Sequence, residues 1–164
     1  MTLDFFQCFN QRLQATPDQI ALQHIDQEGK QSFTYSQIDQ EVARISLFLQ
    51  QQGIGPGDAV GILMENHPRW GIAFMAAQSA GARIVPFDVL HNTETLAQLI
   101  QHAQCKFLIS SEKFASKFEE IQKLLPESLP ALIAGQTPSQ YGNWDQVLGQ
   151  IQETPSLPLV ATDL

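Results

Sequence analysis

At 164 residues the chain has the length of a single domain, and its hydrophobic content of 43% is enough for a buried core and too high for disorder. The net charge of −8, from 17 acidic and 9 basic residues, opposes nucleic-acid binding, which normally needs a basic face. The most apolar window, residues 72–77, is too short for a transmembrane segment. Two cysteines, Cys8 and Cys105, and an N-terminus unlike a secretory signal predict a cytoplasmic protein.

The amino-terminal part of the chain predicts a helix followed by a β-hairpin. Over residues 3–14, apolar residues recur at helical spacing, at Leu3, Phe6, Phe9 and Leu13. Residues 20–25 alternate between apolar and polar as a strand does, and a polar turn over residues 26–31 would lead into a partner strand at residues 32–34.

The second predicted helix has the clearest boundaries in the sequence. Thr34 and Gln37 have the spacing of a capping box, in which each side chain bonds the backbone amide of the other residue. The apolar positions that follow lie on one helical face, at Ile38, Val42, Ile45 and Leu49. Gly53 stands where helices end on a left-handed residue, so we expect the helix to end just before it.

Beyond this helix, short apolar runs alternate with helical segments. The runs are typical of buried strands and begin at Ala59, Arg83, Lys106 and Ala131. Helical patterns lie between or after them, over residues 68–80, 96–103, 114–125 and 144–151. This βαβ order predicts an α/β fold with a doubly wound, mostly parallel sheet and helices on both faces, in addition to the N-terminal helix and β-hairpin.

The carboxyl ends of parallel strands meet at one edge of a sheet, where ligands bind in open α/β folds. Polar loops follow three of the predicted strands, at residues 65–67, 87–92 and 110–112. Residues in these loops favour helix N-caps, and capping explains them adequately; they are Asn66, Asn92 (or Thr93) and Ser111.

Other polar features have weaker functional interpretations. The glycine-rich stretch 53–58 follows a helix and precedes a strand, the reverse of a phosphate-binding loop, so we interpret it as a turn. Ser79 lacks the first glycine of a nucleophile elbow and ends a predicted helix. His67 and His91 follow strand ends, where a ligand role stays open beside the commoner role of surface histidines. The histidine spacings do not predict a metal site.

Several segments form a recognisable series when they are taken in chain order. They are residues 33–38 (FTYSQI), Gly53 with residues 57–62 (GDAVGI), Asn66 with Trp70, residues 79–86 (SAGARIVP) and residues 94–109. The series resembles the adenylate-forming enzymes, which comprise the acyl-CoA synthetases and their adenylation-domain relatives. The residues around Trp70 and Ser79 are most similar to the fatty-acyl-CoA ligase branch of that family.

The resemblance implies a two-step, AMP-forming acid–thiol ligase. A carboxylic acid, here a fatty acid, would react with ATP and Mg²⁺ to give an acyl-adenylate, and the thiol of CoA would then displace AMP. Residues 1–153 would form the N-terminal α/β subdomain, and residues 154–164 a linker toward a phosphate loop beyond Leu164. Because the family's phosphate loop and later motifs are absent, we expect no catalytic residue here, an inactive 164-residue chain, and completion by further subdomains of the same chain.

The resemblance also implies which residues face the CoA nucleotide. They are Phe87, Asp88, Val89, Lys113 and Lys117. The alternative for the two lysines is that they are solvated helix residues. Three further possibilities stay open: a carrier-protein thiol in place of CoA, a homodimer through exposed apolar surface, and a free-standing α/β binding module without catalysis.

Overall fold

A computed structural model of the chain describes residues 5–26, 29–135 and 141–151. The helices are α1 (Phe5–Ala15), α2 (Tyr35–Gln51), α3 (Pro68–Ser79), α4 (Thr93–His102), α5 (Ala115–Gln122) and α6 (Trp144–Gln150). The strands are β1 (Ile20–Asp26), β2 (Gly29–Thr34), β3 (Ala59–Leu63), β4 (Arg83–Pro86), β5 (Cys105–Ser111), β6 (Ala131–Ala134) and β7 (Gly142–Asn143). A short 3₁₀ turn, Glu112–Phe114, joins β5 to α5.

The main sheet is parallel, with its strands in the order β4-β3-β5-β6-β7. The chain passes from β3 to β4 on one side and then crosses to β5 on the other side of β3. The strands β1 and β2 form a separate antiparallel hairpin. The predicted α/β fold with a parallel sheet and a preceding hairpin is therefore confirmed.

Two apolar cores lie on opposite faces of the main sheet, as alternation along β5 shows. Phe107 and Ile109 belong to the core that α2, α3 and α6 cover, whereas Leu108, between them, belongs to the core under α4 and α5. All of β3 is buried, as expected for a parallel strand covered on both faces. Helices on both faces were predicted, and the structure confirms them.

The start of α2 has the predicted capping box. The backbone N–H of Gln37 donates to Thr34 Oγ1 at 3.2 Å, and the N–H of Thr34 donates to Gln37 Oε1 at 2.9 Å. Past the helix end, Gly53 adopts the left-handed conformation with φ of 80°. The glycine-rich stretch that follows is a turn, as predicted, in which the Gly55 N–H donates to Asp58 Oδ2 at 3.0 Å.

The structure differs from the sequence-based assignments at several helix ends, as at α5, which ends at Gln122 rather than at residue 125, and at two strands. The strand β2 begins at Gly29 rather than at residue 32, because Asp26 already pairs with Gly29 and the ladder continues close to the turn. The strand β7 was not predicted, since two residues are too few to show periodicity. The predicted linker over residues 154–164 and the helical position Leu3 lie outside the described residues.

A polar seam attaches α6 to α2 and α3. Trp144 is fully buried, and its indole Nε1–H donates to Glu41 Oε2 at 3.2 Å. The Arg69 guanidinium lies over the Trp144 ring at 5.6 Å from the centroid and forms an ion pair with Asp145. Burial raises the pKa of Glu41 and outweighs the attraction of nearby guanidinium groups. The seam therefore holds a carboxylate where ionisation costs free energy.

We predict that Glu41→Gln raises the free energy of unfolding at neutral pH. Because burial lifts the pKa of Glu41 above its ordinary value of 4.5, the unfolded chain releases this proton first, and stability falls as pH rises through the raised pKa. A glutamine oxygen can still accept from Trp144 without carrying charge. Urea unfolding from about pH 4 to about pH 8 tests this, with Glu120→Gln as an exposed control. A Glu41→Gln chain less stable than the wild type at neutral pH would contradict the prediction.

Candidate functional site

The carboxyl ends of β3, β4, β5 and β6 lie along one edge of the main sheet. At β3 the winding of the chain reverses, because β4 lies on one side of it and β5 on the other. Open parallel sheets bind ligands at such a reversal. The loops that leave β3, β4 and β5 here are therefore the candidate functional site, which we call the carboxyl-edge site.

A cavity of about 450 Å³ lies between the β3–α3 and β4–α4 loops, within the size range of small-molecule sites. Its walls combine apolar and acidic side chains. The lining residues are Met64, Glu65, Asn66, Trp70, Pro86, Phe87, Asp88 and Val89.

Two buried serines fasten the end of β5 to the end of β3. Ser110 Oγ donates to the carbonyl oxygen of Leu63 at 2.7 Å, and Ser111 Oγ donates to the carboxylate of Glu65. Ser111 occupies the N-cap position of the 3₁₀ turn but makes no capping bond, so its predicted capping role is wrong. Its hydroxyl is instead used to hold Glu65 at the rim of the cavity.

The N-cap of α3 is His67, and the prediction of Asn66 was wrong. Because Pro68 is the first helical residue, the cap falls on the residue directly before it, and His67 Nδ1 accepts the Arg69 N–H at 3.1 Å. The His67 ring also contacts the His24 ring, with 4.8 Å between centroids, which joins the hairpin to this loop. At α4 the predicted cap is confirmed, since Asn92 Oδ1 accepts the Thr95 N–H at 2.8 Å.

The β4–α4 loop, residues 87–92, turns sharply over the end of the sheet. The Phe87 N–H donates to the carbonyl oxygen of Ile62 at 2.9 Å, and the Phe87 ring is buried. Asp88 is exposed, and its Oδ1 accepts the Leu90 N–H at 2.9 Å. The loop therefore carries a carboxylate at the cavity rim and is anchored below by the aromatic ring.

The two lysines that the sequence singled out have different surroundings. Lys117 Nζ donates to the carbonyl oxygen of Val89 at 2.7 Å and also to that of His91. The Lys113 ammonium lies 5.8 Å from the ring centroid of its neighbour Phe114. The structure thus brings Lys117 to the loop that contains Phe87, Asp88 and Val89, and it leaves Lys113 beside an aromatic ring.

Sequence reasoning selected these loops but missed how they are joined. The Ser111–Glu65 bond links residues 46 positions apart, and the Lys117 bonds reach 26 and 28 positions back to His91 and Val89. Periodicity describes neighbours within one element, so it carries no signal for such contacts.

The described residues do not provide a metal site. Within residues 5–26, 29–135 and 141–151, no group of three or more His, Cys, Asp or Glu side chains could hold a metal ion. In the same parts of the chain, no helix combines the length and the apolar character needed to cross a membrane.

A second cavity, of about 730 Å³, shares Trp70 with the carboxyl-edge site but lies between α1, β1 and α3. It is lined mainly by aromatic and aliphatic side chains, among them Phe9, Leu22 and Phe74. Phe5, at its border, is 59% exposed. Exposed apolar surfaces of this extent are typical of sites that contact another protein. The homodimer that the sequence allows stays a prediction.

The chain has recognisable relatives in sequence. A model of the AMP-binding enzyme family matches residues 9–158. Vanchrobactin synthetase VabF of Vibrio anguillarum is 36% identical over 119 residues, which are 72% of this chain and 4% of that protein. A linear gramicidin synthase of Brevibacillus parabrevis is 31% identical over 111 residues, 68% of this chain and 1% of the synthase. The chain thus spans a few per cent of the length of these relatives.

Solved structures share the fold. Acetoacetyl-CoA synthetase from Streptomyces lividans superposes with a TM-score of 0.81 at 16% identity, covering 95% of this chain and 26% of that one. A benzoate CoA ligase from Burkholderia xenovorans LB400 superposes with a TM-score of 0.79 at 16% identity, covering 98% of this chain and 31% of the ligase.

Fold and site together define an α/β domain whose candidate ligand edge is formed by the loops after β3, β4 and β5. The chain belongs to the AMP-binding enzyme family, the adenylate-forming enzymes that the sequence motifs indicated. The resemblance is therefore confirmed at the level of the family. Its assignment to the fatty-acyl-CoA branch stays a prediction.

Gly61→Ala should destabilise the fold and disturb the β4–α4 loop. An added Cβ would lie 2.6 Å from Phe87 Cε2 and 2.7 Å from Leu108 Cδ1, and both side chains are buried. We expect a loss of about 1–3 kcal/mol in the free energy of unfolding, measured by urea denaturation. The control is Gly71→Ala in α3, where no atom lies within 4 Å of the added Cβ and helix propensity gains up to about 1 kcal/mol. Equal stability of Gly61→Ala and wild type would refute the close approach.

Proposed function

We propose that this chain supplies the N-terminal α/β subdomain of an adenylate-forming ligase. The ligase would activate a carboxylic acid with ATP as an acyl-adenylate and then pass the acyl group to a thiol. The observation that carries the proposal is the match of the family model to residues 9–158. Support also comes from the carboxyl-edge site, because the reversal of winding at β3 places its loops where such folds bind ligands.

In such an enzyme, the described residues would line the cavity and hold its loops in place. They would not stabilise the charge that develops on the phosphate oxygens. A developing charge on phosphate oxygens needs backbone amides, lysine or metal aimed at it. Within the described part of the chain, no cluster of three or more His, Cys, Asp or Glu side chains could hold a metal ion, and the glycine-rich turn ends in Asp58, which pairs with Lys106 at 2.5 Å. We therefore assign adenylate formation to residues outside the described part of the ligase.

The first candidate for the thiol substrate is CoA, bound with its nucleotide near the carboxyl-edge site. The proposed contacts are Phe87, Asp88, Val89, Lys113 and Lys117. Lys113 is exposed, so its ammonium is accessible to an anionic group. Lys117 already donates to two carbonyl oxygens, which favours an indirect role for its ammonium.

The second candidate is the thiol of a carrier protein, with an amino acid as the activated carboxylate. The observation that favours it is the sequence identity of 31–36% to a gramicidin synthase and a vanchrobactin synthetase. The two candidates share the adenylation step and differ in the acid and in the acceptor. An acid panel and two acceptors can therefore separate them.

We predict carboxylate-dependent exchange between ATP and pyrophosphate for the protein encoded by the reading frame that contains this chain. The panel comprises fatty acids, aryl acids and amino acids, followed by thioester formation with CoA or with a phosphopantetheinylated carrier protein. A fatty acid with CoA supports the first candidate, and an amino acid with the carrier supports the second. The 164-residue chain alone should give no exchange, because the family's phosphate loop is absent from its sequence.

Two outcomes would overturn the proposal. One is the absence of exchange with every acid in the panel, which would favour the binding module without catalysis. The other is exchange by the 164-residue chain itself in a clean preparation, which would show that adenylation does not need further residues.

A further inference from the structure

Lys117 lies on α5, yet its ammonium group bonds the loop after β4. Its Nζ donates to the carbonyl oxygen of Val89 at 2.7 Å and to that of His91. We infer that Lys117 is a positioning residue, which fixes the β4–α4 loop in the conformation that borders the carboxyl-edge site and meets the thiol substrate. This inference rests on the proposed function, in which the thiol substrate is CoA or a carrier protein, and both carry a phosphopantetheine thiol.

The ends of the loop are anchored without Lys117. At the start, the Phe87 N–H donates to the carbonyl oxygen of Ile62 at 2.9 Å. At the finish, Asn92 caps α4 through the Thr95 N–H at 2.8 Å. Removing the Lys117 ammonium therefore leaves both ends of the loop attached to the sheet and to α4.

The exposed tip of the loop, at Leu90 and His91, has little else to hold it. Its own bonds are local, from the Leu90 N–H to Asp88 Oδ1 at 2.9 Å and from the His91 N–H to the carbonyl oxygen of Asp88 at 3.2 Å. The Leu90 side chain is 87% exposed, so no apolar packing fixes the tip. Val89 is partly buried against the core under α4 and α5, whereas the exposed tip at Leu90 and His91 is joined to the rest of the protein through the ammonium of Lys117.

The energetic consequence is local. A hydrogen bond from a charged donor is stronger than a neutral one, so its loss loosens the segment that it holds. Without the Lys117 ammonium, water can bond the carbonyl oxygens of Val89 and His91, because they belong to a surface loop. We therefore expect removal of the ammonium to raise opening of the loop while the two apolar cores stay folded.

Two other lysines serve as matched controls on the same segment. The Lys113 ammonium lies over the Phe114 ring, and Lys123 is exposed just past the end of α5. Among the described residues, neither lysine forms a hydrogen bond to the β4–α4 loop. Lys113→Met and Lys123→Met each remove one positive charge and keep the hydrogen bonds from Lys117 to the loop.

The first arm of the test measures amide hydrogen exchange of the Leu90 and His91 N–H groups in the purified 164-residue chain. Lys117→Met should speed their exchange about tenfold or more, whereas exchange in β3 and β5 stays unchanged. Lys113→Met and Lys123→Met should leave loop exchange at the wild-type rate. Lys117→Arg, which keeps a cationic donor, should recover part of the protection. Unchanged loop exchange in Lys117→Met would overturn the inference.

The second arm uses the complete ligase and separates binding from chemistry. Lys117→Met should raise the Michaelis constant for the phosphopantetheine thiol about tenfold and change kcat much less. CoA and the carrier protein are tested in parallel, so the acceptor with the larger effect identifies the thiol substrate that the loop meets. A raised Michaelis constant without faster amide exchange in the loop would mean that Lys117 contacts the thiol substrate directly. That result would contradict the positioning role. A wild-type ligase without adenylation activity would count against the proposed function. The hydrogen-exchange measurement would still show whether Lys117 holds the β4–α4 loop.

Discussion

The parallel pairing of β3 with β4 on one side and β5 on the other is the constraint on which the rest of the structure depends. It requires that β3 be buried on both faces, so helices must cover both faces of the sheet. It also brings the carboxyl ends of the strands to one edge. Gly61, in the middle of β3, allows the Phe87 ring to approach the strand closely. The buried ring then anchors the β4–α4 loop above the sheet.

The site is held by contacts between elements rather than within them. Ser111 on β5 fixes Glu65 after β3, and Lys117 on α5 fixes the loop after β4. Each contact links an element of the main sheet or its helices to a loop at the carboxyl edge. The geometry of the cavity therefore depends on packing between elements that lie far apart in the sequence.

Much of the fold could be predicted from the sequence, because the signals are local. The capping box of Thr34 and Gln37 is a pattern of neighbours, and β3 and β6 are apolar runs that begin at the predicted residues. The misplaced cap at Asn66 shows the limit of residue preference, since Pro68 decides the helix start there. Pairings between distant residues, such as Ser111 with Glu65, follow from tertiary packing and leave no periodic trace.

The central claim is that the carboxyl-edge site of this domain faces the ligands of an adenylate-forming enzyme. The most direct test is a hydrogen-exchange footprint of the complete protein with and without a non-hydrolysable acyl-adenylate analogue and its thiol acceptor. We expect slower exchange in the loops after β3 and β4 and no change at the opposite edge, in the turn at residues 53–58. Protection confined to that opposite edge, or none anywhere in this domain, would contradict the claim.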